Sequence, residues 1–369
     1  MFELAIQTTV PVVGYTLENF LLLLIAAAAG GAFGAAIGAL PAFIFTGFVV
    51  FLGEGIAILN RQLGGEALAV GQGELAAGLT GIIGFGAVTG PHIAFAGGVA
   101  ASAYAGKKYP EMEPDGWDYH FGKNILYAFG TKPDILAVGA VFGVFGAVFN
   151  QFAGALLVVS GTGVTDSIAL TVVVSAFLAR VVFGYPIVGK SAGSSILDMS
   201  PFEREEPRTA TDGGEDVEAP MEHEGRLATE PWLPHQYRWS GVTAIGLVGG
   251  ILGGYIYILT GSIFLGYAIS AMSLLFLQLG VEKIPVTHHI TLIGAVGAVV
   301  LLPDFGPVVA LLAAGGFGAV SGLLGEVTQR IFYAHSGTHV DPPAMAIAIA
   351  MVGVAILEIV AVLPNAGYL

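Results

Sequence analysis

GGAFGAAIGALPAFIFTG, residues 30–47, and GGILGGYIYILTGSIFLG, residues 249–266, are one stretch written twice, with eight identities in eighteen positions at a constant offset of 219. The match continues in order. His92-Ile93 with Gly97 and Val99 returns as His289-Ile290 with Gly294 and Val296, and Pro133-Asp134 returns as Pro303-Asp304. Phe145-Gly146-Ala147-Val148 returns as Phe317-Gly318-Ala319-Val320, and Ser160-Gly161-Thr162 with Val164 returns as Ser336-Gly337-Thr338 with Val340. Preserved order marks an internal duplication. Duplicated halves in a membrane protein place a site at their pseudo-symmetry axis.

Composition puts the chain in lipid. Apolar residues make up 55% and charged residues 11%, against about a quarter charged in soluble domains, and the mean hydropathy is +0.81. Apolar runs of spanning length cover 17–40, 135–159, 240–259, 262–279 and 343–363. The first sixteen residues carry no Lys or Arg and so lack the charged leader of a cleaved signal. Cysteine is absent, which excludes disulfides and thiolate chemistry.

The falling offset between matched blocks locates insertions in the first copy, within 61–88 and 106–132. The shared unit is then five segments: two long helices, a shorter one opened by His-Ile, a fourth starting at Pro-Asp and a fifth after Ser-Gly-Thr. The expected fold is all-α, a polytopic transmembrane bundle of about ten segments in two homologous five-segment halves, residues 1–185 and 239–369. Between them, 186–238 reads as an acidic, disordered linker, since 198–230 holds eleven acids against three arginines. Six lysines in the whole chain, with the acidic segment, suit a halophilic source.

Lys and Arg favour the cytoplasmic side. With five spans per half the copies are inverted. Lys107, Lys108, Lys123, Lys132, Lys190, Lys283, Arg330 and the linker then share the cytoplasmic face of a cell-membrane protein, Arg180 snorkels toward it, and Arg61 lies outside. A span through Gly71–Val88, or re-entrant His-Ile segments, satisfies the charge rule as well. Gly30, Gly34 and Gly38, like Gly246, Gly250 and Gly254, stand four apart, a spacing that brings helices into close contact and serves equally for a homo-oligomer.

Four polar motifs carry the chemistry: Thr89-Gly90-Pro91-His92, Ser160-Gly161-Thr162-Gly163, Thr287-His288-His289 and Ser336-Gly337-Thr338-His339. Each precedes an apolar helix. A helix starting inside a bilayer aims free N–H groups at whatever sits before it; an ordinary interfacial cap gives the same pattern. The apolar run after His289 reaches Pro303 in about thirteen residues, short for a full span. Asp166 and Asp341 follow two of the motifs. The candidate ion- or solute-binding residues are therefore Thr89, His92, Ser160, Thr162, Asp166, Thr287, His289, Ser336, Thr338, His339 and Asp341, with His92, His289 and His339 expected to meet between the halves. Asp134 and Asp304 read as helix N-caps, and Asn150 and Glu326 as interior polar residues. His335, His339 and Asp341 offer metal-ligand atoms, but Pro342-Pro343 opposes the helix that would align them.

No hydrolase, zincin, phosphate-loop or dinucleotide motif occurs, and a net charge of −14 without a basic patch opposes nucleic-acid binding. The expected function is non-enzymatic and needs no cofactor: a transporter or channel for a small polar solute or ion. The alternative is a membrane scaffold that binds partners and transports nothing.

Overall fold

The computed structural model describes residues 9–64, 78–208 and 226–369. They are mostly helical: α1 (Leu17–Ile37), α2 (Ala39–Gln62), α3 (Ala96–Lys108), α4 (Pro133–Leu156), α5 (Ser167–Val182), the one-turn α6 (Ser200–Glu203), α7 (Trp239–Thr260), α8 (Phe264–Gln278), α9 (His288–Phe332) and α10 (Pro342–Ile359). A two-residue hairpin, β1 (Val158–Val159) with β2 (Thr162–Gly163), joins α4 to α5. Six helices, α1, α2, α4, α7, α9 and α10, are long and apolar enough to cross a membrane, and α5 and α8 are shorter apolar helices. Large apolar side chains such as Ile25, Val141, Val308 and Leu312 stand exposed on them, more than a water-soluble surface carries without a partner.

Local chemistry sets the helix ends. Thr16 caps α1 by accepting from the Asn19 N–H at 3.2 Å. Gly38, at φ +96°, separates α1 from α2 in a single residue, a backbone region that side chains with a Cβ avoid. Asp166 and Asp341 cap α5 and α10, each accepting at 2.8 Å from the N–H three residues on. A π-helical turn, Pro91–Phe95, leads into α3.

Two expectations about Pro-Asp fail. Pro303 does not open a helix. It lies within α9, and the break comes at Gly306, at φ +74°, followed by Pro307. The chain reverses there: Gly297 packs on Phe317, and Ser321 donates to the His289 carbonyl at 3.1 Å. Asp304 is exposed in this turn and caps nothing. Pro133 does begin α4, but Lys132 holds the cap position, and Asp134 binds Lys108, Tyr104 and Tyr109.

The same contacts recur in the two halves. Gly34 abuts the Ala94 backbone as Gly253 abuts that of Thr291. Gly97 meets Gly31 as Gly294 meets Gly250, and Ile93 covers Gly30 as Ile290 covers Gly249. Gly143 lies on Gly31 as Gly318 lies on Gly250. The last pair corrects the sequence register. Gly143 and Gly318 differ by 175, as Asp166 and Asp341 do, whereas Phe145-Val148 and Phe317-Val320 were paired at 172. Glycine-rich text supports several registers; backbone contacts allow one.

Where the halves touch, α2 runs antiparallel to α8, with Gly47 against Ala271 and Met272 and Glu54 bonded to Ser262. α5 runs antiparallel to α10, with Thr165 donating to Ala348 O and Thr162 to Glu358. The segment before α3 folds back along α2: Thr80 packs on Gly53, Gly84 on Val50, and the Thr89 carbonyl accepts from Thr46. Pro91 therefore sits partway along α2. Of Gly71–Val88, residues 71–77 lie outside the described residues, and 78–88 are the part that packs along α2.

The described flanks of the acidic stretch are hydrogen-bonded to the helical bundle. Glu230 N–H bonds Ala334 O, Trp232 N–H bonds the Gln329 side chain, and Gln236 exchanges two hydrogen bonds with Val286. Acidic composition was read as solvation, but Glu230 and Arg226 are buried against each other. Residues 209–225 lie outside the described residues.

Candidate functional site

A cavity of about 1120 Å³ opens between the halves. α2, α5, α8, the first arm of α9 and α10 wall it, and the loops at 116–119, 232–235 and 280–283 form its mouth. Equivalent positions line it from both sides: Pro91 with His288, Phe95 with Leu292, Asp166 with Asp341, Ala169 with Ala344, and Val172 with Ile347.

Two aromatic arcs connect its polar groups. Phe43 lies 4.7 Å from the His288 ring and 5.9 Å from Phe95, which lies 5.8 Å from His339. His339 Nε2 is 3.2 Å from Asp341. On the other side Tyr267 lies 5.7 Å from His288 and 5.9 Å from Phe85. Phe85, Phe264 and Tyr368 follow at 5.1 and 5.4 Å, and the Tyr368 hydroxyl donates to Asp166 at 2.7 Å. His288 and His339 are buried, and Nδ1 of each has no hydrogen-bond partner among the described residues.

Near the mouth Lys123, fully buried, pairs with Glu230 at 2.6 Å, and Arg226 holds the other Glu230 oxygen at 2.9 Å. Lys123 also sits 4.5 Å above the Tyr333 ring. Burial works against the Glu230 charge, but Lys123, Arg226 and Arg208 outweigh it and hold the carboxyl below its ordinary range. Burial pushes the Lys123 ammonium down to about 7 despite Glu230.

Of the eleven candidate residues, Asp166, His339 and Asp341 line the cavity. The other eight are placed elsewhere. Thr89 bonds Ile83 O, Thr287 bonds Ser270, and Ser336 bonds Pro186 O. Thr338 accepts from Arg180 at 2.7 Å. Arg180 therefore does not snorkel; it is fully buried and also donates to Ile187 O and Thr338 O. Ser160 is exposed in the β-turn, and Thr162 there bonds Glu358.

His92 and His289 do not meet His339 in one pocket. The His92 carbonyl packs against Gly146 in the first half, and His289 packs against Ser321 and Gly325 of the second half and Trp232 of the segment between the halves. Adjacent residues on a helix point about 100° apart, so His288 faces the cavity and His289 faces away.

Sequence reasoning also passed over Glu54. It is buried in α2, where Thr80 donates to one oxygen at 2.9 Å and Ser262 to the other at 2.5 Å. A lone carboxylate in a 24-residue apolar helix was the available signal. Among the described residues no group of three His, Asp or Glu side chains is arranged to hold a metal ion.

The chain belongs to a family of unknown function, DUF7973, whose family model matches residues 12–369. No curated protein and no solved structure matches it.

Proposed function

We propose that this protein is an integral membrane transporter or channel for a small polar solute or ion. It is built from two inverted five-segment halves, and the cavity between them is its site. The observation that carries the reading is the lining of one cavity by equivalent residues of both halves, down to the paired helix caps Asp166 and Asp341. Counting the two arms of α9 separately, each half contributes five helical segments in the same order. Matched helices that run antiparallel in contact, α2 with α8 and α5 with α10, fit a two-fold axis in the membrane plane. The start of α3 partway along α2 fits a broken helix that begins inside the bilayer, a backbone allowed where it lines protein or a cavity. Glycine contacts within each half supply close helix packing without bulky side chains. The mouth is formed by loops that hold Lys123 and Lys283, so by the charge rule it faces the cytoplasm, together with the acidic segment.

Alternating access is testable without knowing the solute, because the chain has no cysteine. Ala169→Cys and Ala344→Cys place single thiols at equivalent cavity positions. In oriented vesicles each thiol is expected to react with membrane-impermeant reagents added from either side. Reaction from one face only, in both variants, would favour a scaffold over a transporter.

A further inference from the structure

We infer that the cavity takes a monovalent organic cation with an apolar body. The inference rests on the proposed reading only in using the same cavity, since binding is measured without flux. Three independent observations point the same way.

The first is charge. Five carboxylates line the cavity, Asp118, Glu205, Glu282, Asp166 and Asp341, against Lys123 and Lys283. Lys123 is already matched by Glu230. Among the described residues no Lys or Arg pairs with Asp166 or Asp341; their partners are helix N–H groups, the Tyr368 hydroxyl and His339. An anion drawn into this space meets more acidic than basic groups, and no cation paired to either aspartate.

The second is the wall. Phe43, Phe85, Phe95, Phe264 and Tyr267 line the same cavity as the two carboxylates. Aromatic rings attract cations through their quadrupole, more strongly where water is excluded, while offering an inorganic ion no ligand oxygens. A cation with apolar surface uses both the rings and the apolar remainder of the cavity. The volume is that of an organic-molecule site and far exceeds that of a bare ion.

The third is an unfilled hydrogen-bonding position. His288 is 5% exposed, lines the cavity, and leaves Nδ1 without a partner among the described residues. Nδ1 of His92, His289, His335 and His339 is likewise unpartnered there, but of the five only His288 and His339 line the cavity. In its neutral form the His288 ring offers that nitrogen as an acceptor for the N–H of an ammonium group.

The test uses two probes of equal shape and opposite charge, tetraphenylphosphonium and tetraphenylborate, bound to the purified full chain in a neutral detergent. The cation is expected to bind at least about tenfold more tightly, the equivalent of 1.4 kcal/mol. Asp166→Asn and Asp341→Asn keep the oxygen that caps the helix and remove the charge. Each is expected to reduce that preference, and the double variant to abolish it. Equal binding of the two probes by the wild-type chain would reduce the cavity to a greasy slot, and preference for the borate would reverse the inference. Both outcomes are read without any variant, so a misfolded double variant does not shelter it. Unchanged cation preference in folded single variants would remove the carboxylates from the site. Two-sided thiol accessibility without cation preference overturns this inference and leaves transport standing; cation preference with one-sided accessibility does the reverse.

Discussion

Glu230 shows what a single side chain contributes at the cavity mouth. It is fully buried and, with Arg226 four residues before it in the same segment, holds Lys123 from a second segment. Breaking a buried pair leaves the other charge uncompensated at a cost of about 3–5 kcal/mol, while replacing both partners by apolar groups costs much less. Glu230→Ala is therefore expected to lower the unfolding temperature in detergent sharply, and Lys123→Met with Arg226→Met and Glu230→Leu to restore most of it. The pH dependence has a definite sign. Lys123, Arg226 and Arg208 hold the folded-state Glu230 below its ordinary value, against its burial. Its stabilisation is therefore present above the usual carboxylate range and is lost as pH falls through the lowered folded value. Lys123, pushed down to about 7 by burial, changes its contribution between there and the ordinary lysine range, outside the acid window. Melting curves from pH 7 to pH 3 should show a steeper acid loss in the wild type than in Glu230→Gln. Parallel acid limbs in the two proteins would show that Glu230 is not the titrating group.

At the scale of elements, the equivalent contacts of the two halves make a paired prediction. A Cβ added at Gly34 meets the Ala94 backbone, and one added at Gly253 meets the Thr291 backbone. Neither obstacle is a side chain that can turn aside, so helix must part from helix. Gly34→Ala and Gly253→Ala are each expected to cost about 1–3 kcal/mol, the usual range for overpacking. Gly55→Ala, which meets open space, should cost nothing measurable. Thermostability of the three variants after extraction checks this, and a tolerated Gly34→Ala beside a damaging Gly253→Ala would deny that the two contacts are equivalent. The same elements mark what the sequence could and could not tell. The glycine blocks and His-Ile motifs were legible because backbone contact leaves no freedom of residue choice. The α9 break was not. Both Pro303 and Pro307 flank it, and only the positive φ at Gly306, which sequence does not record, settles which residue turns the chain. Nor was the site's facing. His288 and His289 are neighbours in sequence, and one residue of helical phase decides which of them meets the cavity.

At the scale of the whole molecule, the cavity and the interface between halves are built from the same helices. α2 with α8 and α5 with α10 close the halves on each other, and each of the four contributes cavity wall. Transport by rocking of one half against the other must change these contacts, because the core within each half is locked by backbone-to-backbone packing at its glycines. The α2–α8 contact offers a direct restraint. A Cβ placed at Gly47 lies 2.9 Å from Ala271 Cβ and 2.8 Å from the Met272 backbone nitrogen, closer than the roughly 3.5–4.5 Å between disulfide Cβ atoms, so a bridge here forms as the two helices move slightly apart. Gly47→Cys with Ala271→Cys, in a chain with no other cysteine, is expected to cross-link on oxidation. The cross-linked protein should then keep cation binding measured in detergent and lose access to an Ala344→Cys reporter from the face opposite the mouth, that reporter being capped before oxidation when the cross-link is formed and freed afterwards with a cleavable block. Reduction should restore two-sided access. Undiminished access through an oxidised cross-link would mean that the halves do not move at this seam, leaving the cavity to fill and empty through a fixed path.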